Sequence, residues 1–325
     1  MCGGVLRNRC VYRQMNSQVY DQLKNFINES WGIVGKDGSY PPFFPGPQPI
    51  SIERKHFPLL KKDDYFVCEK TDGTRIALVC LVVNSKKYTV TVDRAMRMTP
   101  VNFNMPRSAY DGTILDGEMV TTRNGKTHFM IYDGVVVGGA TIKAMTLKNR
   151  IAKIDYFIKG IMRTDNDPFV IKMKTFYGLA GIKHLIMKLK HDDFPYANDG
   201  IVLTPIADPV RMGTHETLFK WKPREKNTVD FLVKLRADHT IGLYIQERGQ
   251  LVFSSQYTPT PAWAAAMKDN MIVECAYNLT EWPRRWEPLN VRTDKTHPNN
   301  RRTLSRTMVN IEEDIQLSEF LKIQK

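Results

Sequence analysis

From Tyr65 onward the chain is written in short β-rich runs: YFVCE, RIALVCLVV, KYTVTVDR, TILDGEMVTT and HFMIYDGVVV. Each run is rich in Val, Ile, Thr and Tyr and is closed by turn residues, so together they read as strands of a sizeable sheet. Two helical patches interrupt them. Leu147, Ile151, Ile154 and Ile158 recur at helical spacing, as do Leu179, Ile182, Ile186 and Leu189, and each patch is expected to cover a sheet face. Upstream, residues 14–30 read as a helix with Val19, Leu23, Phe26 and Ile27 on one face. A connector holding five prolines and three glycines follows, over residues 35–49. After Pro223 the strands VDFLVKL, TIGLYIQ and MIVECAY fall in a window of about 65 residues, which suits a small five-stranded barrel. The tail NIEEDIQLSEFLKI reads as a terminal helix, and no internal repeat is visible. The expected architecture is α+β: a body over residues 1–229, a small β domain over 230–305, and a closing helix over 306–325 that packs back on the body.

A length of 325 residues fits two domains at about 150 residues each. Lys and Arg number 47 against 34 Asp and Glu, a formal charge of +13, which favours a polyanionic partner, either nucleic acid or an anionic membrane face. No apolar run approaches the roughly 18 residues of a membrane span, and MCGGVLRNRC is too basic and too short in its apolar part for a signal peptide. Cys2 stands where N-myristoylation needs glycine, and no prenylation box ends the chain. A soluble, unsecreted chain is therefore expected. The five cysteines form no C-x-x-C pair and are odd in number, so neither a zinc site nor a disulfide framework is expected, and a reducing compartment fits best. The seven histidines are scattered without metal-ligand spacing.

The segment E-K-T-D-G-T-R, Glu69 to Arg75, lies between two predicted strands. Alone it reads equally well as an exposed turn with Asp72-Gly73 at its corner. Further short motifs follow in order: D-G-E at Asp116 to Glu118, F-M-I-Y-D-G-V-V-V from Phe129, N-D-G-I-V-L at Asn198 to Leu203, L-F-K-W-K-P at Leu218 to Pro223, and R-T-D-K-T-H-P-N at Arg292 to Asn299. Over about residues 44–300 the series resembles the covalent nucleotidyltransferase superfamily, meaning mRNA capping enzymes and polynucleotide ligases. The match is closest to mRNA guanylyltransferases, especially the compact type of large DNA viruses. Phe44 to Arg54, F-P-G-P-Q-P-I-S-I-E-R, looks like the capping-enzyme leader, and ligases usually carry Glu-Gly where this chain has Asp199-Gly200. Phe219 to Pro223 also resembles the capping form. The R-x-D-K of the last motif is shared with ligases, and Pro298-Asn299 after it tips the match toward capping.

The resemblance implies a two-domain nucleotidyltransferase with antiparallel sheets and flanking helices, closed by an OB-fold barrel. It also implies a reaction in which a lysine amine attacks the α-phosphate of GTP, holds GMP as a phosphoramidate and passes it to a 5′-diphosphate RNA end. Lys70 matches the nucleophile, and Arg75 and Glu118 match residues that hold the ribose. Asp72 falls within the same nucleotide-binding motif. Tyr132 matches an aromatic that stacks on guanine, and Lys174, in V-I-K-M-K, a lysine that reads the guanine oxygen. Arg94 matches a triphosphate contact. Lys220 and Lys222 match the pair that meets the α-phosphate, and Arg292, Asp294 and Lys295 would meet the outer phosphates if the barrel swings about a hinge near Pro223 to Asp230. Asp199, with Glu118, would bind Mg²⁺ or Mn²⁺, cations that take oxygen ligands.

Elementary chemistry is consistent with these roles. Phosphoryl transfer needs charge stabilisation more than covalent help, and lysines spaced i, i+2 on a strand point to one face. A free lysine, with a pKa of about 10.4, is almost wholly protonated at neutral pH, so nearby cations such as Lys220, Lys222, Arg75 and a divalent metal would favour the reactive amine, while Glu118 and Asp199 would push the other way unless occupied by metal or ribose. Plainer readings exist at three positions: Arg94 as a surface strand residue, Lys174 as a solvated lysine and Tyr132 as a sheet-core aromatic. Trp263, Trp282 and Trp286 are expected in the barrel core, with base-stacking surface for RNA as the alternative. Arg284-Arg285 and Arg301-Arg302 read either as RNA-backbone contacts or as a solvated face. The same lysine chemistry also serves an ATP-dependent ligase. The expected partners are GTP, 5′-diphosphate RNA, and separate RNA triphosphatase and cap methyltransferase proteins, with no membrane. The expected state is a monomer, intracellular in the nucleus, or at a cytoplasmic replication site or in the virion if viral.

Overall fold

The structure, a computed structural model, describes residues 15–33, 40–62, 64–280, 282, 284–293 and 295–323. Along the chain run helix α1 (Ser17–Trp31), strand β1 (Gln48–Ser51), helix α2 (Phe57–Lys62) and strands β2 (Tyr65–Thr71), β3 (Thr74–Val83), β4 (Lys86–Asp93), β5 (Met98–Pro100), β6 (Thr113–Thr121), β7 (Thr127–Val137) and β8 (Ala140–Thr141). Helix α3 (Leu147–Lys159), strands β9 (Val170–Met173) and β10 (Tyr177–Gly178), helix α4 (Ile182–Lys190) and strands β11 (Asn198–Pro205) and β12 (Thr214–Trp221) complete the body. The small domain holds β13 (Thr228–Leu235), β14 (Ile241–Glu247), β15 (Gln250–Tyr257), helix α5 (Pro261–Ala266), β16 (Ile272–Asn278) and β17 (Arg285–Val291). Helices α6 (Arg301–Glu313) and α7 (Leu317–Phe320) follow.

The body contains two sheets, as the resemblance implies, where the strand runs alone suggest one sizeable sheet. A seven-stranded sheet runs β5-β4-β3-β6-β7-β8 with β9 parallel to β7, and a five-stranded sheet runs β1-β12-β11-β2-β10. The division falls at Asp72-Gly73: β2 ends there in one sheet and β3 begins in the other. The seven-stranded sheet is covered on both faces, which is why RIALVCLVV is apolar at successive positions. Ala77 and Val79 of β3 pack under α1, with Val19, Leu23 and Ile27, while Leu78 and Cys80 face α3, with Ile154, Phe157 and Ile158. Helix α1 starts at the Asn16 cap, whose side chain accepts from Gln18 N, and stops at Gly32 in the left-handed region at φ 82°. Helix α4 buries Ile182, Leu185 and Ile186 against Tyr65, Val67, Ile201 and Leu203 of the five-stranded sheet.

The C-terminal strands form an antiparallel sheet of order β15-β14-β13-β16-β17 around Val229, Phe231, Ile245, Val273 and Trp286. This arrangement is consistent with an OB-fold. Its outer strands β15 and β17 approach each other, but no ladder closes a barrel among the described residues. Of the three tryptophans expected in its core, Trp286 is buried, Trp263 is partly buried against that core, and Trp282 is 87% exposed.

The tail departs from the single helix expected over residues 306–325. Helix α6 starts at Arg301, capped by Asn300, and ends at Asp314, whose φ of 44° breaks it before α7. Leu304 and Ile311 pack into the small domain, whereas Ile315, Phe320 and Ile323 enter the core of the body. The tail therefore touches both units. Arg302 and Arg306 pair with Glu216 at 2.9 and 3.2 Å, Asn310 donates to the Ile52 carbonyl at 2.6 Å, and Arg54 pairs with Glu319 at 2.9 Å.

Candidate active site

Strand alternation builds the site from two sheets. On β2, Cys68 and Lys70 face a cavity of about 140 Å³, while Tyr65 and Val67 face the core. On β12 and just beyond it the same period sends Leu218 to the cavity and Phe219 and Trp221 to the core, with Lys220 and Lys222 in step with Leu218. From the other sheet come Arg75, Glu118, Tyr132 and Lys174. Arg94 joins them from the turn after β4, exposed yet lining the cavity, so it is not the surface strand residue that its sequence also allowed.

Three lysines and one carboxylate meet beside the cavity: Lys70 lines it, Lys220 and Lys222 line a small neighbouring pocket, and Asp199 lies between Lys70 and Lys222. Lys70 Nζ donates to Asp199 Oδ1 at 2.8 Å, and Lys222 Nζ lies 2.5 Å from Asp199 Oδ2. Burial opposes ionisation of Asp199, but the two ammonium groups outweigh it and hold its carboxyl below the usual range. The Lys220 amine makes no hydrogen bond or ion pair among the described residues, although its backbone carbonyl accepts from Ile52 N at 2.9 Å. Burial, and then its neighbours Lys222, Lys70 and Arg94, bring its pKa down to about 8. Glycine after Asp199 is required by shape: β11 bulges between Asn198 and Gly200, Gly200 has φ 150°, and a Cβ there would run into the Trp221 carbonyl oxygen. This close approach keeps β12, and so Lys222, beside Asp199.

The opposite wall is fixed by buried polar pairs. Arg75 donates to Asp116 through Nε at 3.0 Å and Nη2 at 2.5 Å, and through Nη1 to the Pro47 carbonyl at 2.6 Å. Tyr132 donates its hydroxyl to Asp116 Oδ1 at 2.8 Å, and burial raises its pKa well above the ordinary value. Phe44 lies under the Arg75 guanidinium at 5.4 Å, so the leader segment helps to aim that residue. Lys174 is buried rather than solvated and donates at 2.9 Å to both the Glu69 carbonyl and Thr71 Oγ1. The Thr71 hydroxyl donates in turn to Glu118 Oε2. Asp133 lines the cavity too, gripped at 2.7 and 2.9 Å by the fully buried Arg150.

Four of the sequence-derived positions do not join this cluster. Asp72 is exposed at its turn, its backbone N donating to Ala197 O, and its side chain does not line the cavity. Arg292 pairs within the small domain with Asp230 at 3.2 Å, and neither it nor Lys295 lines the cavity. Asp294 lies outside the described residues. Sequence reasoning missed the anchors Asp116, Thr71, Glu69 and Arg150. Asp116 stood in the D-G-E motif without a role, and Arg150 was legible as a cation inside the apolar stripe of α3.

Family models place this geometry. The model described as mRNA capping enzyme, catalytic domain, matches residues 5–224, and that described as mRNA capping enzyme, C-terminal domain, matches residues 226–321. The chain belongs to the mRNA capping enzyme family. It is an enzyme of the nucleotidyltransferase superfamily. It is 28% identical to the mRNA-capping enzyme subunit alpha of Schizosaccharomyces pombe, over 88% of this chain and 81% of that protein, and 25% identical to that of Yarrowia lipolytica over 86% and 81%. It is 27% identical to the mRNA-capping enzyme of Danio rerio, over 79% of this chain but only 45% of that longer protein. These relatives are fungal and animal, and none supports the viral type that the motifs brought to mind. A solved mycobacterial DNA ligase D complexed with ATP and MES aligns at a TM-score of 0.45 with 14% identity, covering 77% of this chain and 95% of that one, too weak a likeness to carry a functional argument.

Proposed function

We propose that this member of the family is an mRNA guanylyltransferase whose nucleophile is Lys70. The Lys70 amine attacks the α-phosphate of GTP, a P–N bond forms as the bond to pyrophosphate breaks, and the amine gives up a proton. The diphosphate end of RNA then attacks the same phosphorus, the P–N bond breaks, and GMP leaves as the GpppN cap. The observation that carries this reading is the shared carboxylate: Lys70 and Lys222 hold opposite oxygens of Asp199, and beside them the Lys220 amine has no ion pair among the described residues. Lys220 and Lys222 are suited to take up α-phosphate charge as it develops. Arg75 and Glu118 are assigned to the ribose, Tyr132 and Lys174 to guanine, and Arg94 to the outer phosphates. Arg292 and Lys295 reach the nucleotide in this scheme only by domain closure about the turn Arg224–Lys226, which Arg224 now ties to Asp314 at 3.2 Å.

Asp199 suits Mg²⁺ or Mn²⁺ in donor chemistry. Among the described residues no cluster of three or more metal-ligating side chains is found, and Glu118 is engaged by Thr71. A cation that keeps waters and takes phosphate oxygens needs no more than one or two carboxylates. Such an ion would neutralise phosphate charge when bound. Releasing Lys70 from Asp199 is the step this chain's own residues must then perform.

The subunit alpha name of the fungal relatives supports a partner subunit here, and the triphosphatase and methyltransferase steps are assigned to separate proteins. Among the described residues no helix is long and apolar enough to cross a membrane. Incubation with α-labelled GTP or ATP and a divalent cation tests the proposal. Label from GTP that survives denaturation and transfers to diphosphate RNA is expected. Label from ATP alone would mean a ligase, and no label would overturn the enzyme reading.

A further inference from the structure

The small C-terminal domain is open where its outer strands meet. Between β15 and β17 lies a cleft of about 520 Å³ lined by Ser254, Ser255, Tyr277, Arg284, Arg285 and, from α6, Met308. Two polar groups there lack partners among the described residues. Ser255 Oγ is buried with no hydrogen bond, and Arg284 is exposed with no ion pair among the described residues. Arg285 pairs with Glu287 at 2.9 Å. Buried polar groups are normally satisfied, so an orphan hydroxyl on a cleft marks hydrogen-bonding capacity left for a ligand.

Two residues before Arg284, Trp282 stands 87% exposed in the loop between β16 and β17. An indole in water, followed by an unpaired guanidinium, is the pairing that single-stranded nucleic acid uses: a base stacks on the ring and the next phosphate meets the cation. The position in the fold agrees. In five-stranded barrels of this kind, oligonucleotides bind across the face of the second and third strands and the loops joining the first to the second and the fourth to the fifth. Here β15 is the third strand, and Trp282 and Arg284 belong to that fourth-to-fifth loop.

We propose that this cleft binds a single-stranded segment of the acceptor RNA. Its phosphodiester lies on Arg284 and Arg285, the Ser255 hydroxyl donates to a phosphate oxygen, and a base stacks on Trp282. The proposal rests on the reading of RNA as acceptor and adds where the RNA is held. Lys70 and its neighbours engage only the reacting end, and the cleft supplies affinity for the rest of the strand.

The test is direct binding without GTP. Fluorescence anisotropy with a labelled single-stranded 5′-diphosphate RNA 12-mer compares wild type with the double variant Trp282→Ala, Arg284→Ala. Both side chains are exposed, and circular dichroism with GMP-adduct formation serves as the folding control. The expected result is roughly tenfold weaker binding, with a log affinity against log salt slope shallower by about one, at unchanged adduct formation. Unchanged RNA affinity and slope would overturn the proposal. So would loss of affinity for a hexaglutamate peptide alone, which would make the cleft a peptide site. Failure of the wild type to form a GMP adduct would instead count against the guanylyltransferase reading, without altering the anisotropy result.

Discussion

Arg75 and Asp116 form a two-point ion pair on the wall facing Lys70, at 3.0 and 2.5 Å, with the Asp116 carboxylate 1% exposed. Asp116 touches the cavity only through others: its second role is to accept from the Tyr132 hydroxyl. One buried carboxylate thus positions both the cation assigned to ribose and the ring assigned to guanine. Asp116→Asn keeps the volume and removes the charge. Charge-assisted hydrogen bonds contribute about 1.5–3 kcal/mol each, so the GTP concentration for half-maximal adduct formation is expected to rise roughly 10- to 100-fold, with a smaller change in the limiting rate. A fall in the limiting rate alone would contradict the positioning role.

Behind that pair stands another. Asp133 lies opposite Asp116 on the β6–β7 ladder and is held at both oxygens by Arg150, which is 2% exposed. Arg150→Met leaves a buried carboxylate without its partner, so stability is expected to drop by about 3–5 kcal/mol in urea titrations. Arg150→Lys should recover only part of the loss, because one ammonium cannot replace a two-point fork.

The legible parts of this protein are those written at short range. Period-two spacing aimed Lys220 and Lys222 to one side, and the apolar stripes of α1, α3 and α4 announced helices over sheets. The division into two sheets is not legible in the strand runs themselves, although the resemblance implies more than one sheet. Sequence-adjacent strands usually pair, but β2 turns away from β3 at Asp72-Gly73 and pairs with β11, residues 198–205. That long-range pairing brings Lys70 and Asp199 together, and no local pattern encodes it. The tail packs back on the body as expected, through Ile315 and Phe320, but its break is not legible: its apolar residues suit one helix, yet Ile311 serves the small domain's core, and the turn at Asp314 redirects the chain between the two. The motif resemblance grouped Arg292 and Lys295 with the nucleotide. Motif order carries no information on where a second domain sits.

Lys220 should report nucleotide arrival through protons. Its pKa of about 8 lies below the free value of 10.5, so near pH 8 the amine is about half neutral. A triphosphate beside it favours the charged form, so GTP binding is expected to take up a proton there. Calorimetry in buffers of different ionisation enthalpy, with chelator present, should show uptake of roughly half a proton more at pH 8 in wild type than in Lys220→Met. The difference should vanish by pH 6, where Lys220 is already charged. Equal uptake in the two proteins at pH 8 would refute this.

Phe320 is 1% exposed and packs against Trp221, which is itself tied by Nε1 to the Ile315 carbonyl at 2.7 Å. Phe320→Ala is expected to cost about 3–5 kcal/mol. Amide exchange should locate the loss in β11 and β12, which carry Asp199 and Lys220, rather than in β13 and β14. Loss confined to the small domain would contradict the placement of the tail.

The central claim is that Lys70 carries the guanylate. The direct measurement is mass spectrometry of peptides from protein incubated with GTP and a divalent cation, under alkaline handling that preserves a phosphoramidate. The expected result is a GMP mass addition on Lys70, absent from Lys70→Arg, which keeps the charge facing Asp199. GMP found on any other residue, or an adduct persisting in Lys70→Arg, would contradict the account.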